Sequence, residues 1–230
     1  MRLFAFLLVL GLCGCSVFNH NPIRDLGDPD LRLGALLDEM YDARAKERGE
    51  MDEEDPAYDD VRPTPVLMRE LETLAFDFPD HAATRYACGA AAYATGQRRQ
   101  AESHLDAALA ANPRLTEAAS LRARLSIEEG NYPRATRLVD DGLLLAPDSA
   151  DLVLLRAQLL DLSGDSEGAL AAIDLAQRLG SEAWRADYHR ALVYENQGLA
   201  AQAEEALRRT LDAEPNFEPA RSRLNRLQAR

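Results

Sequence analysis

The chain has 230 residues, of which 47% are hydrophobic, so it is long enough and apolar enough to bury a core. Its formal net charge is −13, and only 6% of its residues are aromatic. Because neutralising nucleic-acid phosphates requires a basic face, the composition predicts no nucleic-acid partner.

The first residues are typical of an export signal. Arg2 supplies a minimal positive region, and the apolar run 3–12 that follows is too short to span a bilayer as a helix. The run ends in Leu-Cys-Gly-Cys at 12–15, which resembles the bacterial lipobox. This resemblance implies that residues 1–14 are a lipoprotein signal peptide and that Cys15 becomes the acylated first residue of the mature chain. An ordinary secretory peptide and a buried N-terminal helix are the alternative interpretations.

Lipidation at Cys15 predicts a membrane-tethered protein, because two acyl chains are enough for stable anchoring. By resemblance to the sorting rule of diderm bacteria, Ser16 after the lipidated Cys favours the outer membrane over the inner membrane. The folded part is then expected to face the periplasm. With Cys13 cleaved off and Cys15 acylated, Cys88 has no partner, so no disulfide is expected.

Residues 15–62 are predicted to form an acidic tether that contains one amphipathic helix. From 21 to 62 there are 14 acidic and 6 basic residues, a net charge of −8. Asp28 and Pro29 suit the cap and first turn of a helix over about 30–48. Its apolar stripe consists of Leu33, Leu36, Leu37, Met40 and Tyr41. The stripe either packs as the first helix of a degenerate hairpin, with 49–60 as an acidic insertion, or occupies a groove of the domain that follows.

Residues 63–81 are predicted to form an N-terminal capping helix or half repeat. The helix is expected over 65–76, where Leu67, Leu71 and Leu74 recur at helical spacing.

Residues 82–217 contain an internal repeat with a period of 34 residues. Four positions of this repeat recur in step. One is always Gly, at 96, 130, 164 and 198. A small residue lies seven positions before it (Gly89, Ala123, Ala157, Ala191) and another five positions after it (Ala101, Ala135, Ala169, Ala203). The fourth is Pro113, Pro147, Ser181 and Pro215.

This pattern is similar to that of the tetratricopeptide-repeat (TPR) family. Small residues on both helices of a hairpin allow close approach, the Gly ends the first helix in a left-handed conformation, and the Pro stops the second. The resemblance implies an all-α solenoid of four hairpins, at 82–115, 116–149, 150–183 and 184–217. Because a solenoid exposes apolar faces at both ends, residues 218–230 are expected to form a C-terminal capping helix.

In this family the first helices of successive hairpins line a concave groove, at the second, fifth, ninth, twelfth and thirteenth positions of each repeat. The resemblance therefore implies the following groove candidates: Tyr86, Tyr93, Arg124, Ile127, Leu154, Gln158, Asp161, Tyr188, Leu192 and Glu195. The Lys and Asn residues with which co-chaperone members hold a C-terminal carboxylate are missing from the fifth and ninth positions. The tyrosines and acids suit a peptide with apolar side chains and an occasional Arg or Lys. Alternatively, each tyrosine covers the core between repeats.

Arg122, Arg156 and Arg190 also recur at 34-residue steps, where the family more often has Leu. One interpretation is that their guanidinium groups reach carboxylates of neighbouring helices while their stems cover apolar surface. The other is an anion-binding ladder.

The sequence predicts no enzyme, no cofactor and no metal site. His20, His81, His104 and His189 share no spacing that would place two ligands on one helix face. Cys88 beside Gly89 is expected to be a buried, inert thiol.

These expectations together describe an outer-membrane lipoprotein that binds periplasmic proteins or peptides. It resembles the repeat lipoproteins that assist secretin, pilus and envelope assembly. An adaptor of periplasmic cell-wall hydrolases or proteases, and a permanent structural subunit of an envelope complex, are alternatives. The sequence leaves the partner and the oligomeric state open.

Overall fold

The computed structural model describes residues 27–38 and 63–229, and within these ranges the secondary structure is helical, without strands. Helix α1 covers 29–38 in the described part of the chain. The other helices are α2 (Pro65–Asp77), α3 (Ala82–Ala94), α4 (Arg98–Ala111), α5 (Thr116–Glu128), α6 (Tyr132–Leu145), α7 (Ala150–Leu162), α8 (Ser166–Arg178), α9 (Ala183–Asn196), α10 (Ala200–Ala213) and α11 (Glu218–Gln228). None of the helices described is both long and apolar enough to cross a bilayer.

The helices stack in chain order as an open array. Each helix packs against its neighbours in sequence, and α3, α5, α7 and α9 also contact one another in turn along one side. Within the described ranges the two ends of the array do not meet, so the array is a solenoid and not a closed bundle. This confirms the predicted fold class.

The turn inside each hairpin depends on a glycine. Gly96, Gly130, Gly164 and Gly198 have φ angles of 75°, 73°, 91° and 74°. In this left-handed region a side chain with a Cβ is unfavourable, which is why the first helix ends here and the chain can reverse.

Small side chains let the two helices of each hairpin approach. Ala101, Ala135, Ala169 and Ala203 are completely buried. A Cβ added at Gly89 would lie 2.8 Å from Leu105 Cγ and 3.4 Å from the Ala101 carbonyl oxygen. The first hairpin therefore has no room for even a methyl group at this position, whereas the later hairpins hold an alanine there.

Helix α1 packs against α2 and α3 at the N-terminal end of the array. Leu33 is 8% exposed and lies in one core cluster with Leu67 and Leu71. The Arg32 guanidinium donates to Asp77 at 2.9 Å. The described part of α1 thus packs as the first helix of a degenerate hairpin with α2 and does not enter the groove. Residues 39–62, which include the acidic insertion, lie outside the described residues, as do 1–26 with the signal peptide and Cys15.

Helix α11 covers the apolar face at the C-terminal end. Ala220 is completely buried, and Leu224 and Leu227 pack on the cluster that contains Leu207.

An arginine–aspartate ion pair joins each repeat to the next. Arg122, Arg156 and Arg190 each donate to the aspartate sixteen residues earlier, and the acceptors are Asp106, Asp140 and Asp174. The arginines lie on α5, α7 and α9, and the aspartates lie on α4, α6 and α8. Their guanidinium groups reach carboxylates of neighbouring helices, as the first interpretation of the series stated.

The first of these pairs belongs to a larger network around one buried arginine. Arg122 is 0% exposed and donates to Asp106 at 2.9 Å, to Ser126 Oγ at 2.9 Å and to Glu102. Arg134 donates to the same two acids at 2.8 and 2.9 Å. Because a buried guanidinium needs several acceptors, this interface depends on the whole set.

We expect Arg122→Met to cost more stability than Arg156→Met, although both change the same repeat position. Arg122→Met removes the donor to Ser126 and one of the two arginine donors to Glu102 and Asp106, and should lower the free energy of unfolding by about 2 kcal/mol. The Arg156 pair is about half exposed, so its loss should cost less than about 1 kcal/mol. Urea titrations of the two variants measure the difference in the free energy of unfolding. Equal losses of stability would contradict the conclusion that the Arg122 interaction is the stronger one.

Candidate peptide-binding groove

An open groove of about 580 Å³ runs along the side of the array formed by α3, α5, α7 and α9 and ends at α11. It is lined by Tyr93, Arg124, Ile127, Glu128, Leu155, Gln158, Glu182, Trp184, Arg185, Tyr188, His189, Leu192, Phe217, Pro219 and Arg223. First helices supply most of these residues, because their inner faces have no second helix packed over them.

Six of the sequence-predicted candidates line this groove. They are Tyr93, Arg124, Ile127, Gln158, Tyr188 and Leu192. They come from all four hairpins, so the stacking brings together residues that are up to about a hundred positions apart in sequence.

The structure does not place Leu154 and Asp161 in the groove. Leu154 is 1% exposed and packs in the core with Ile173. Asp161 is 8% exposed, and its carboxylate accepts hydrogen bonds from Ser166 and Asn196. Asp161 therefore joins α7 to α8 and α9 and lies outside the groove.

Tyr86 and Glu195 also lie outside the lining. Tyr86 is half-buried against Leu105 and Ala118, between the first and second repeats, and burial raises the pKa of its hydroxyl. Glu195 accepts a hydrogen bond from Arg223 of α11. Tyr86 therefore covers the core between two repeats, which is the alternative interpretation of the tyrosines.

Sequence reasoning missed the aromatic cluster at the C-terminal end of the groove. The Phe217 ring lies 5.1 Å from the Trp184 ring and 4.9 Å from the Tyr188 ring, both edge to face. Trp184 begins the fourth repeat, and Phe217 caps α11. Neither residue falls at a groove position of the family pattern. The available signal in the sequence was residue type, because Trp184 is the single Trp and Phe217 is an aromatic residue at a repeat boundary.

The groove positions of the family pattern also include two further lining residues that were not among the candidates. Glu128 occupies a thirteenth position and Arg185 a second position of their repeats, both of which the resemblance implicates. His189, Arg223, Leu155, Glu182 and Pro219 fall outside that pattern.

Most charges in the groove are already paired. Arg185 bonds to Asp151 at 2.6 Å, Arg223 to Glu195, and Glu128 to Arg98 at 3.4 Å. Among the described residues, Arg124 on α5 and Glu182 at the start of α9 are the lining charges that make no ion pair. The acids among the sequence-predicted candidates, Asp161 and Glu195, are thus already hydrogen-bonded within the protein, whereas Arg124 and Glu182 carry charges that no ion pair in the described residues neutralises.

The groove shifts the pKa values of two of its side chains, Tyr93 and His189. Burial raises the pKa of Tyr93 to about 12, with its hydrogen bond to Glu128 adding to the effect. Burial lowers the pKa of His189 to about 4, and the nearby Arg124 and Arg185 lower it further. At neutral pH the groove therefore presents a protonated phenol and a neutral imidazole.

The groove lining contains no Ser, Thr or Cys. Away from the groove, Glu72, Cys88 and His104 bring potential metal-ligand atoms within 4.8 Å of one another. Cys88 is buried, as predicted, and burial beside Glu72 raises the pKa of its thiol to about 12.

The low pKa of His189 makes stability fall on acidification. The unfolded chain binds this proton below about pH 6.5, whereas the folded chain binds it only near pH 4. Stability is therefore lost across that interval. From pH 7 to about pH 4.5, the free energy of unfolding should fall by about 2 kcal/mol more in the wild type than in His189→Gln. Urea titrations at both pH values measure this, and parallel losses in the two proteins would contradict the assignment.

Comparison with known proteins identifies the fold. No protein-family model matches the chain, and no curated protein is detectably similar in sequence. Among solved structures, a thermophilic TPR protein of Thermus thermophilus, TTC0263, is similar with a TM-score of 0.61 and 17% identity, over 71% of this chain and 90% of that one. MamA residues 41 to the end from Desulfovibrio magneticus RS-1 has a TM-score of 0.55 and 17% identity, over 84% and 98%. PilW, described as a widely conserved type IV pilus biogenesis factor, has a TM-score of 0.55 and 22% identity, over 64% and 69%. The chain therefore has the tetratricopeptide-repeat fold that its 34-residue period predicted.

Proposed function

We propose that this chain is a protein-interaction scaffold whose groove holds a short segment of a partner protein. The observation that carries this proposal is the combination, in one open groove, of an aromatic cluster with an unpaired cation. Aromatic anchors and arginine are the residues that dominate binding energy at protein interfaces.

The lining defines the chemistry of the segment. Trp184, Tyr188 and Phe217 offer an apolar surface for one or two large side chains. Arg124 would pair with a carboxylate of the ligand, because it has no ion-pair partner of its own in the described residues. The ligand we propose is therefore apolar with an acidic residue, in place of the basic residue expected from the sequence. A groove of about 580 Å³ has the size of a small-molecule site, so it takes only a few side chains.

We further propose that the scaffold is tethered to the periplasmic face of the outer membrane through an acylated Cys15. The lipobox-like residues 12–15 and Ser16 support this. Confinement to a surface raises the effective concentration of a tethered domain, so modest affinity in the groove would be sufficient.

Assistance to the assembly of a pilus, secretion or envelope complex is the role we favour. PilW, whose fold this chain shares, is described as a pilus biogenesis factor. A permanent structural subunit would need a larger and more apolar interface, whereas this groove carries three arginines.

Reversing the charge of Arg124 should weaken capture of the partner. A photo-crosslinking amino acid in place of Gln158 would capture the bound segment in intact cells. Arg124→Glu should lower the crosslinking yield about tenfold or more, since it replaces an attraction by a repulsion.

Arg137→Glu is the matched control, because Arg137 is an exposed residue of α6 outside the groove. It makes the same change in charge and should leave the yield unchanged. If Arg124→Glu and Arg137→Glu crosslink equally well, the partner binds another surface.

Two substitutions near the predicted cleavage site test the tether. Cys15→Ser removes the acylated thiol, so the protein should leave the membrane fraction and lose its acyl mass. Ser16→Asp should retain the acyl chains but move the protein to the inner membrane. Membrane fractionation with mass spectrometry of the N-terminal peptide measures both, and an unlipidated wild-type protein would refute the tether without affecting the groove.

A further inference from the structure

The interface between α2 and the hairpin α3–α4 lacks the arginine–aspartate ion pair that joins the later repeats. At the position of Arg122, Arg156 and Arg190, the first repeat has Cys88, and at the position of the paired aspartates the preceding helix has Glu72. The geometry that pairs arginine with aspartate in later repeats therefore brings a thiol and a carboxylate near each other here.

A histidine completes this group. His104 on α4 is 8% exposed and its Nε2 lies 3.1 Å from Glu72 Oε1. The equivalent positions of the later repeats hold Leu138, Ala172 and Ala206, so the histidine occurs only where the arginine is replaced. The other ring nitrogen, Nδ1, is buried and has no hydrogen-bond partner. Nε2, which faces the Glu72 carboxylate, is the ring nitrogen placed to share an ion with it.

We propose that Glu72, Cys88 and His104 form a binding site for a divalent transition-metal ion of the Zn²⁺ type. Thiolate, imidazole and carboxylate are the three side-chain ligands that Zn²⁺ accepts, and a water molecule would complete the tetrahedron. Three different helices, α2, α3 and α4, each contribute one ligand.

The distances fit such an ion after a small adjustment. The three ligand atoms lie within 4.8 Å of one another, whereas ligands of a tetrahedral zinc are separated by about 3.5 Å. Glu72 can supply much of this movement, because its side chain is 42% exposed and long. Gln100 donates a hydrogen bond to the same carboxylate and would keep it oriented.

Binding would exchange a proton for the metal. The Cys88 S–H bond breaks, the thiolate sulfur binds the ion, and the proton leaves to solvent through the exposed side of Glu72. No change of oxidation state is involved. Because the ligands lie on three helices, the ion would clamp the N-terminal half repeat to the first hairpin, next to the predicted tether. This role is separate from the groove and does not rest on its ligand.

Cobalt is a suitable probe, because thiolate–Co²⁺ coordination produces a charge-transfer absorption in the near ultraviolet. The experiment uses the full chain, without a histidine tag and in mild detergent, with Cys13→Ser and Cys15→Ser so that Cys88 is the remaining thiol. Titration with Co²⁺ should give this band at one equivalent, and Zn²⁺ should abolish it by competition. Zn²⁺ should also raise the melting temperature.

Ligand variants decide between the site and adventitious binding. Cys88→Ala should remove the band, and Glu72→Gln and His104→Gln should each weaken binding by at least about tenfold. His81→Gln is the matched control and should bind as the parent does. Circular dichroism confirms that each variant is folded. The proposal is overturned if no band forms at saturating Co²⁺, or if Glu72→Gln and His104→Gln bind as tightly as the parent.

Discussion

The close approach of two helices within each hairpin is the constraint on which this structure depends. It requires a small residue where the helices face each other, and Gly89, Ala101 and their equivalents in later repeats meet this requirement. Once each hairpin has the same internal geometry, successive hairpins can stack with the same offset. The groove, the ion-pair ladder and the thiol–imidazole cluster all result from that repeated offset.

The stacking offset places the same two repeat positions in contact at every interface, and the residue types then decide what the contact does. In three interfaces arginine and aspartate make an ion pair. The arginine is buried at Arg122 and about half exposed at Arg156, so one geometry gives contacts of different strength. At the interface between α2 and α3 the same geometry brings the ligand atoms of Cys88 and Glu72 within 4.8 Å of each other.

The groove is chemically uneven along its length. Its C-terminal end is aromatic, because Phe217 from the cap of α11 closes on Trp184 and Tyr188 of the fourth repeat. Towards its middle, Arg124 lies near His189 and lowers the pKa of that imidazole. His189 is therefore neutral beside Arg124, which makes no ion pair within the described residues, and Arg185, which is paired with Asp151. The capping helix thus contributes to the binding surface as well as covering the core.

The sequence by itself determined the all-helical repeat fold and the glycine turns, because these depend on local backbone preferences and on side-chain size. It also identified six residues of the groove lining from their repeat positions. Only the tertiary structure decided that Leu154 is buried while Tyr188, at the same repeat position, faces the groove. The reason is that exposure depends on the neighbouring helices, which differ between the middle and the end of the array. For the same reason the Glu72, Cys88 and His104 cluster could not be read from spacing along one helix, since its members come together only when three helices pack.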